Sequence, residues 1–379
     1  MKCKSKFIII ATIPLSLGFF KGQIQVLKTS FEILLISSPG QLLVDICEKE
    51  KVRGYPVVMK REISFFKDFV SLFKLIKLFY SIKPEVVHGS TPKAGLLSMI
   101  AAWLNKVPTR IYYVHGLRYQ GVNGFKKKLL ILMEKLSCYF ASNVYAVSFG
   151  VKEVMEKEGI TKKKIQIIGN GSVNGIDLDY FSTAHPNVLN LKENYNLTSK
   201  NFVFGFVGRL VKDKGIQELV LAFLKINKIN PETRLLLVGD YENEDPIEFE
   251  IKKEIENNSN IINVGFQKDV RSFLKMMNVF VFPSYREGFG VSIMEAGAME
   301  IPVISSNIIG CNEIIENGVN GILIRPKSKE DLFKAMRTML KESKDLNVLG
   351  ENSRKLIFRK FEQKKLWKNT LNSYLSIIK

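Results

Sequence analysis

At 379 residues the chain has room for two domains, each with a core of its own. Hydrophobic residues make up 46% and charged residues 25%, the balance of a soluble globular protein, which excludes disordered and fibrous classes. The net charge of +19 is unevenly placed: residues 1–190 carry 27 Lys and Arg against 13 Asp and Glu (+14), and residues 191–379 carry 29 against 24 (+5). A basic half calls for an anionic partner, whether nucleic acid, a membrane surface or a phosphorylated substrate. Cys3, Cys47, Cys138 and Cys311 form no C-x-x-C pair, and His88, His115 and His185 are the only histidines. This points to reduced thiols in a cytosolic setting, with neither a disulfide framework nor a zinc site.

Residues 6–12 form the first predicted strand. A signal peptide is the competing reading of the apolar start, but the run ends at Phe-Phe-Lys-Gly without a small-residue cleavage site. No segment reaches the roughly 18 uninterrupted apolar residues that a membrane span needs. A loop holding Gly18 and Gly22 leads to a helix over 23–29 and a strand over 31–37, a βαβ start. Residues 63–82 make an amphipathic helix with Lys67, Lys74 and Lys77 among phenylalanines and leucines. It suits either a core-packing crossover or an anionic membrane surface; the βαβ context favours core packing of its apolar face, with membrane contact left to its rim.

A strand over 84–88 ends at His88, and the loop 89–95 enters a helix over 96–104. Ser90 or Thr91 can cap that helix, and Lys93 adds a cation near its start. The strand 110–114 delivers His115 at its carboxyl end, where an open parallel sheet presents side chains to a ligand crevice. Strands over 142–148 and 164–169 flank a helix over 151–158. Asp177-Leu178-Asp179 is formally a D-x-D metal signature, but its place after Asn-Gly-Ile at a domain edge makes it a turn. The first domain is taken as 1–181 and a polar linker as 182–200.

The second domain, 201–355, alternates strictly: strands at 202–207, 234–238, 261–264, 279–282 and 302–304, with helices at 216–227, 246–257, 270–276 and 292–299. That pattern is a doubly wound parallel sheet. Its first strand runs into Gly208-Arg209-Leu210-Val211-Lys212-Asp213-Lys214-Gly215, where a planar guanidinium and a mobile ammonium suit a diphosphate. The strand 279–282 runs into Glu287-Gly288-Phe289-Gly290-Val291 and then a helix, so free N–H groups and a positive helix end meet there. Glu287 and Glu295, with seven residues between them, return to within about 80° on a helix and can face one cavity. A strand at 322–324, a helix at 329–341 and a final helical segment, 361–378, complete the chain.

The pair GRLVKDKG and EGFGVSIME, in this order and about eighty residues apart, closely resembles the family-4 retaining glycosyltransferases of the GT-B fold, over residues 200–330. The bacterial capsule, O-antigen and exopolysaccharide members are the nearest in kind. The resemblance implies two Rossmann-like domains facing a central cleft, with a C-terminal helix, 356–379, packing back on the first domain. It implies a nucleotide-sugar donor, most simply a UDP-sugar, with no metal and no other cofactor. Gly208, Arg209, Lys214, Gly265, Phe266, Glu287, Gly288, Phe289, Gly290, Val291 and Glu295 would bind the donor. Arg209 and Lys214 would hold its diphosphate, Glu295 the ribose and Glu287 the sugar, with Glu287 and His115 catalytic as well.

Gly22, His88, Ser90, Thr91, Lys93 and His115 would form the acceptor side, HGSTPKAG being similar to runs that accompany a sugar on an isoprenoid diphosphate. The protein would then be cytoplasmic and peripheral on the inner face of the cell membrane, attracted to anionic lipid, building surface polysaccharide by hexosyl or N-acetylhexosaminyl transfer with retention. Alternatives are an inverting GT-B transferase, a nucleotide-sugar epimerase or a non-enzymatic polyanion-binding protein. A dinucleotide-dependent oxidoreductase needs G-x-G-x-x-G after the first strand, which residues 14–22 lack, and a nucleic-acid-binding module needs aromatic and basic residues interleaved as they are not here.

Overall fold

The computed structural model describes residues 4–60 and 64–378; Cys3 and Ile63, the first residue of the expected amphipathic helix, lie outside them. The chain separates into two compact units, one built from the residues up to Gly175 together with those from Gln363 onward, the other from Ile176–Glu362.

The first unit runs β1 (Ser5–Ile10), α1 (Gln23–Leu27), β2 (Phe31–Ser37), α2 (Gln41–Glu50), β3 (Arg53–Pro56), α3 (Phe65–Ile82), β4 (Val86–Gly89), α4 (Pro92–Leu104), β5 (Thr109–Val114), α5 (Gly124–Phe140), β6 (Asn143–Ala146), α6 (Phe149–Lys157) and β7 (Ile165–Gln166). Its sheet is parallel, in the order β3-β2-β1-β4-β5-β6-β7. Apolar runs such as Phe7-Ile8-Ile9-Ile10 become strands covered on both faces, and all four residues are fully buried. Strand β1 pairs with β2 on one side and β4 on the other, Ile10 facing Ile36 and Gly89. Crossovers leave in opposite directions at this point, so the loops after β1 and β4 part and leave a crevice at the carboxyl ends.

The second unit runs β8 (Phe202–Val207), α7 (Ile216–Ile229), β9 (Thr233–Val238), α8 (Phe249–Asn257), β10 (Ile261–Asn263), α9 (Arg271–Leu274), β11 (Val279–Phe282), α10 (Val291–Ala298), β12 (Val303–Ser306), β13 (Gly321–Ile324), α11 (Lys329–Lys341) and α12 (Leu346–Phe361). The parallel order β10-β9-β8-β11-β12-β13 puts the reversal between β8 and β11, the two strands that carry the basic and acidic motifs. The stretch 182–200, expected as a linker, is packed on this unit: Val188 and Leu197 are buried, and Leu189 N–H donates to Ser272 Oγ at 2.9 Å.

Helix α13 (Gln363–Ile377) belongs to the first unit. The expected continuous helix from 356 is interrupted at Glu362, whose extended backbone ends α12. Trp367 Nε1 donates to Asn174 Oδ1 at 2.7 Å, and the hydroxyls of Tyr145 and Ser373 are 2.8 Å apart. Gly22, at φ 76, lies so close to the Trp367 indole that a Cβ there would overlap the ring. The structure therefore gives this glycine a packing reason of its own.

Gly22→Ala is expected to cost about 1–3 kcal/mol through this overlap, read as a lower melting temperature by circular dichroism. An unchanged melting curve would mean that α13 is not held at this point.

Candidate functional site

In the second unit the loops after β8 and β11 are stitched together. Residues Lys212–Lys214 form a single 3-10 turn that ends at Gly215 in the left-handed region, φ 70. A Cβ at Gly215 would collide with the Pro283 carbonyl, so only glycine lets this turn lie against the end of β11. Asp213 then binds across the gap: its carbonyl accepts from Tyr285 N–H at 2.8 Å, and its carboxylate from Arg286 Nε at 2.6 Å.

These contacts bring Lys214 onto Glu287. The ammonium pairs with Glu287 Oε1, and the two side chains are only 16% and 14% exposed. Ser284 Oγ donates to the same carboxylate oxygen at 2.9 Å, and the Phe282 ring lies 5.1 Å beneath the Lys214 ammonium. An acid and a base from two motifs 73 residues apart thus meet in a shielded setting.

Arg209 sits differently. Its side chain is 55% exposed and Nη1 donates to Glu242 Oε2 at 2.6 Å, a surface pair that costs little to exchange for another anion. Gly208 precedes it, its N–H bonded to Val238 O at 3.0 Å. Gly265 O accepts from Gly239 N–H at 2.8 Å, and Phe266 N–H donates to Asp240 Oδ1 at 2.9 Å while its ring stands exposed. Asp240, Glu242, Asp213 and Ser284 escaped the sequence reading, because nothing marks a supporting acid or hydroxyl before its loop has a partner.

The glycine loop is partly self-satisfied. Gly290 N–H donates to Gly310 O and Val291 N–H to Phe289 O, both at 3.0 Å, so these two groups are not open to a ligand as expected. The N–H groups of Gly288 and Phe289 make no hydrogen bond among the described residues. Phe289 itself anchors the loop, its buried ring edge-on to Phe361 at 5.4 Å. Glu295, in the second turn of α10, is half-buried and its carboxylate takes no partner among the described residues. Burial pushes it up to about 7. The two glutamates of the spaced pair are therefore in opposite states, Glu287 paired through Oε1 and Glu295 open. Near Glu295 lies Tyr180, over whose ring the Arg271 guanidinium is stacked at 3.5 Å while it forks onto Asp269.

In the first unit, the acceptor-side candidates divide into structural and open groups. Ser90 is buried and donates to Ile10 O at 2.9 Å. Thr91 occupies the N-cap position of α4 without capping it; its hydroxyl instead meets Thr12 Oγ1 at 2.7 Å, and Thr12 Oγ1 accepts from Ala94 N–H at 3.3 Å. The cap comes from the loop after β1. Lys93 is no open cation: its ammonium pairs with Asp68 of α3 at 2.6 Å and is 6% exposed.

His88 is fully buried among the rings of Phe7, Phe20, Tyr113 and Tyr374. His115 stacks on Tyr113 with centroids 4.8 Å apart, and the Phe19 ring is tilted against it at 5.2 Å. Neither imidazole has a hydrogen-bond partner among the described residues, and burial holds both near 3, so both are neutral. His115 also lines a chamber of about 10 Å³, room for one water, with Gln23, Ser172, Thr370 and Tyr374 around it. Asp177 Oδ1 accepts from the N–H groups of Asp179 and Tyr180, both at 3.0 Å, which makes the D-x-D stretch a turn. Among the described residues no group of three or more His, Cys, Asp and Glu is gathered as a metal would need.

Two parallel-sheet Rossmann-like units, with cation and carboxylate loops at a strand-order reversal, are the GT-B class of fold. Residues 34–179 match the family model for glycosyltransferase family 4, and residues 188–356 that for glycosyl transferases group 1. The capsular polysaccharide biosynthesis glycosyltransferase CapM of Staphylococcus aureus is 35% identical over 98% of this chain and 97% of its own length. A UDP-Gal:alpha-D-GlcNAc-diphosphoundecaprenol alpha-1,3-galactosyltransferase of Escherichia coli is 31% identical over 87% of this chain and 85% of its own. The structure of Anabaena Alr3699/HepE in complex with UDP-glucose superposes with a TM-score of 0.82 at 19% identity, covering 98% of this chain and 99% of that one. The chain belongs to the family-4 glycosyltransferases.

Because the Glu295 pKa is raised from 4.5, its ionisation costs stability: the protein is unpenalised below about pH 4.5 and loses stability as the pH rises towards 7. Glu295→Gln is expected to melt higher than wild type by a margin that widens from about pH 5 to about pH 8. Glu134, also pushed up to about 7 by burial, cancels in this comparison. A margin independent of pH would rule out the raised pKa.

Proposed function

We propose that this glycosyltransferase moves a hexosyl or N-acetylhexosaminyl group from a UDP-sugar to a glycan carried on an isoprenoid diphosphate, in the assembly of a surface polysaccharide. The names of the capsular and diphosphoundecaprenol relatives support this acceptor class. The observation that carries the donor reading is the shielded Lys214–Glu287 pair at the strand-order reversal. A diphosphate arriving there offers Lys214 a stronger anion than Glu287 and releases the carboxylate for the hydroxyls of the donor sugar.

In this reading Arg209 leaves Glu242 for the diphosphate and, with Lys214, stabilises the charge that grows as the nucleotide departs, without metal. Glu295, open and half-buried, takes hydrogen bonds from the ribose. The bond between the anomeric carbon and the phosphate oxygen breaks as the bond to the acceptor oxygen forms on the same face. The acceptor proton passes to the departing phosphate oxygen, and the configuration is retained. His115, neutral throughout the physiological range, orients a hydroxyl through its free ring nitrogens and carries no proton of its own into the step.

The test is a thermal-shift and turnover panel of UDP-, GDP-, ADP- and dTDP-sugars in the presence of EDTA. UDP-sugars are expected to stabilise the protein, and Arg209→Ala or Lys214→Ala to lower turnover by about 10²–10³-fold with circular dichroism unchanged. Wild-type turnover in either variant would end the diphosphate assignment, and an inverted product the retaining one.

A further inference from the structure

Beside His115 the first unit encloses a polar chamber that the reaction as proposed leaves unused. Its volume of about 10 Å³ is that of one water. A gap left by imperfect packing is apolar all round and stays dry. Here His115, Gln23, Tyr113, Ser172, Thr370 and Tyr374 share the wall with apolar side chains. Gln23 and Thr370 are 2% exposed, Ser172 and Tyr374 1%. The Gln23 amide and the Tyr374 hydroxyl make no hydrogen bond among the described residues, and neither ring nitrogen of His115 does. The Thr370 hydroxyl donates to Leu366 O at 2.9 Å, which leaves its lone pairs for a donor in the chamber. Buried polar groups are rarely left unmet, and these converge on one water-sized volume.

The chamber is held in shape from three sides. Asn174 joins its walls: the side-chain amide donates to Lys21 O at 3.0 Å, in the loop before α1, and its Oδ1 accepts from Trp367 Nε1 of α13 at 2.7 Å. Gln23 follows Lys21 by two residues, and Thr370 lies one turn beyond Trp367 on the same helix. Ser172, in the loop that carries Asn174, stands at φ 81, a backbone conformation that costs energy in a residue with a Cβ. Three hydrogen bonds keep it there. Its N–H donates to Val147 O at 2.8 Å, its carbonyl accepts from the Tyr113 hydroxyl at 3.3 Å, and its Oγ accepts from Gly175 N–H at 3.1 Å. Strain retained at such a point marks a wall whose shape matters.

We propose that the chamber holds one ordered water that bridges a ring nitrogen of His115 to Gln23 and Thr370, and that Gln23 is thereby a positioning residue for His115. A neutral imidazole carries its single proton on one nitrogen or the other, and the hydrogen bond made by one decides what the other offers. With the water on the inner nitrogen, the outer one meets a substrate hydroxyl as donor or as acceptor, not as a mixture of the two. The stack on Tyr113 restrains the plane of the ring but cannot choose between tautomers, which share one shape. Burial makes the choice necessary, because an imidazolium would donate from both nitrogens and His115 is kept from becoming one. The effect on turnover rests on the reading that His115 orients a hydroxyl; the water and the tautomer do not.

The chain has three histidines, so the imidazole nitrogens of the full chain, labelled with nitrogen-15 histidine, can be read ring by ring by NMR. At about pH 7 the His115 nitrogens of wild type are expected at the two well-separated shifts of a single tautomer. Gln23→Leu draws them towards a common, averaged value and leaves the His88 and His185 signals and the melting curve in place. Thr370→Val does the same from the opposite wall, and Thr370→Ser, which keeps the hydroxyl, restores the wild-type shifts; this pair carries the test if Gln23→Leu does not fold. In a transfer assay Gln23→Leu lowers kcat about tenfold, the worth of one hydrogen bond, with KM for the UDP-sugar unchanged. Averaged His115 shifts in wild type, or wild-type shifts in both Gln23→Leu and Thr370→Val, would overturn the proposal. His88 signals that move together with those of His115 would reduce Gln23 to a packing role. A tautomer lost in Gln23→Leu without any change in kcat would leave the water standing and remove His115 from the reaction.

Discussion

The contact between Lys214 and Glu287 sets the constraint on which the second unit's site depends. Neither side chain could be held this far from water alone: an unpaired buried charge costs several kcal/mol. Together they are affordable, and only because β8 and β11 are neighbours whose crossovers leave in opposite directions. Everything nearby serves that meeting. Gly215 removes the atom that would collide with Pro283, Asp213 ties down Tyr285 and Arg286, and Ser284 satisfies the carboxylate oxygen that the ammonium also holds. Such pairs add little net stability compared with apolar packing. What this one supplies is position, together with a cation whose protein partner a stronger anion can displace.

The first unit solves a different problem. His88 and His115 are flanked by rings in place of charges, and the burial of their nitrogens, which have no hydrogen-bond partner among the described residues, keeps them neutral. A neutral imidazole both donates and accepts, which suits orientation of a hydroxyl better than proton transfer. The chamber beside His115 is closed by α13, through Thr370 and Tyr374. Helix α13 therefore lines this chamber as well as the unit's core.

Both sheets were legible in the sequence because a parallel strand buried on two faces is a continuous apolar run, and such runs at 6–12, 110–114, 202–207 and 279–282 met strands in place. What escaped lacks that signature. Strand β3, Arg-Gly-Tyr-Pro, is a mostly exposed edge without an apolar run, and α2 buries only Leu43 and Glu50. Helix α5 mixes lysines and leucines without a cap that sequence could mark. At the site, the cation and acid loops could be named from residue type and spacing. The partners of Lys93, Arg209 and Thr91 could not, since each lies 25 or more residues away and is chosen by packing.

Helix α3 shows where periodicity stops being informative. Its phenylalanines and leucines recur every three to four residues around two opposite faces, so the pattern fits a helix with either face inward. Packing against α4 decides it: Leu75 and Phe79 are fully shielded, and the aromatic stripe is left over. A core would have been served equally well by a helix with a polar outer face. Stability gains nothing from Phe66 or Tyr80 in water, and association through exposed apolar surface is a standing hazard.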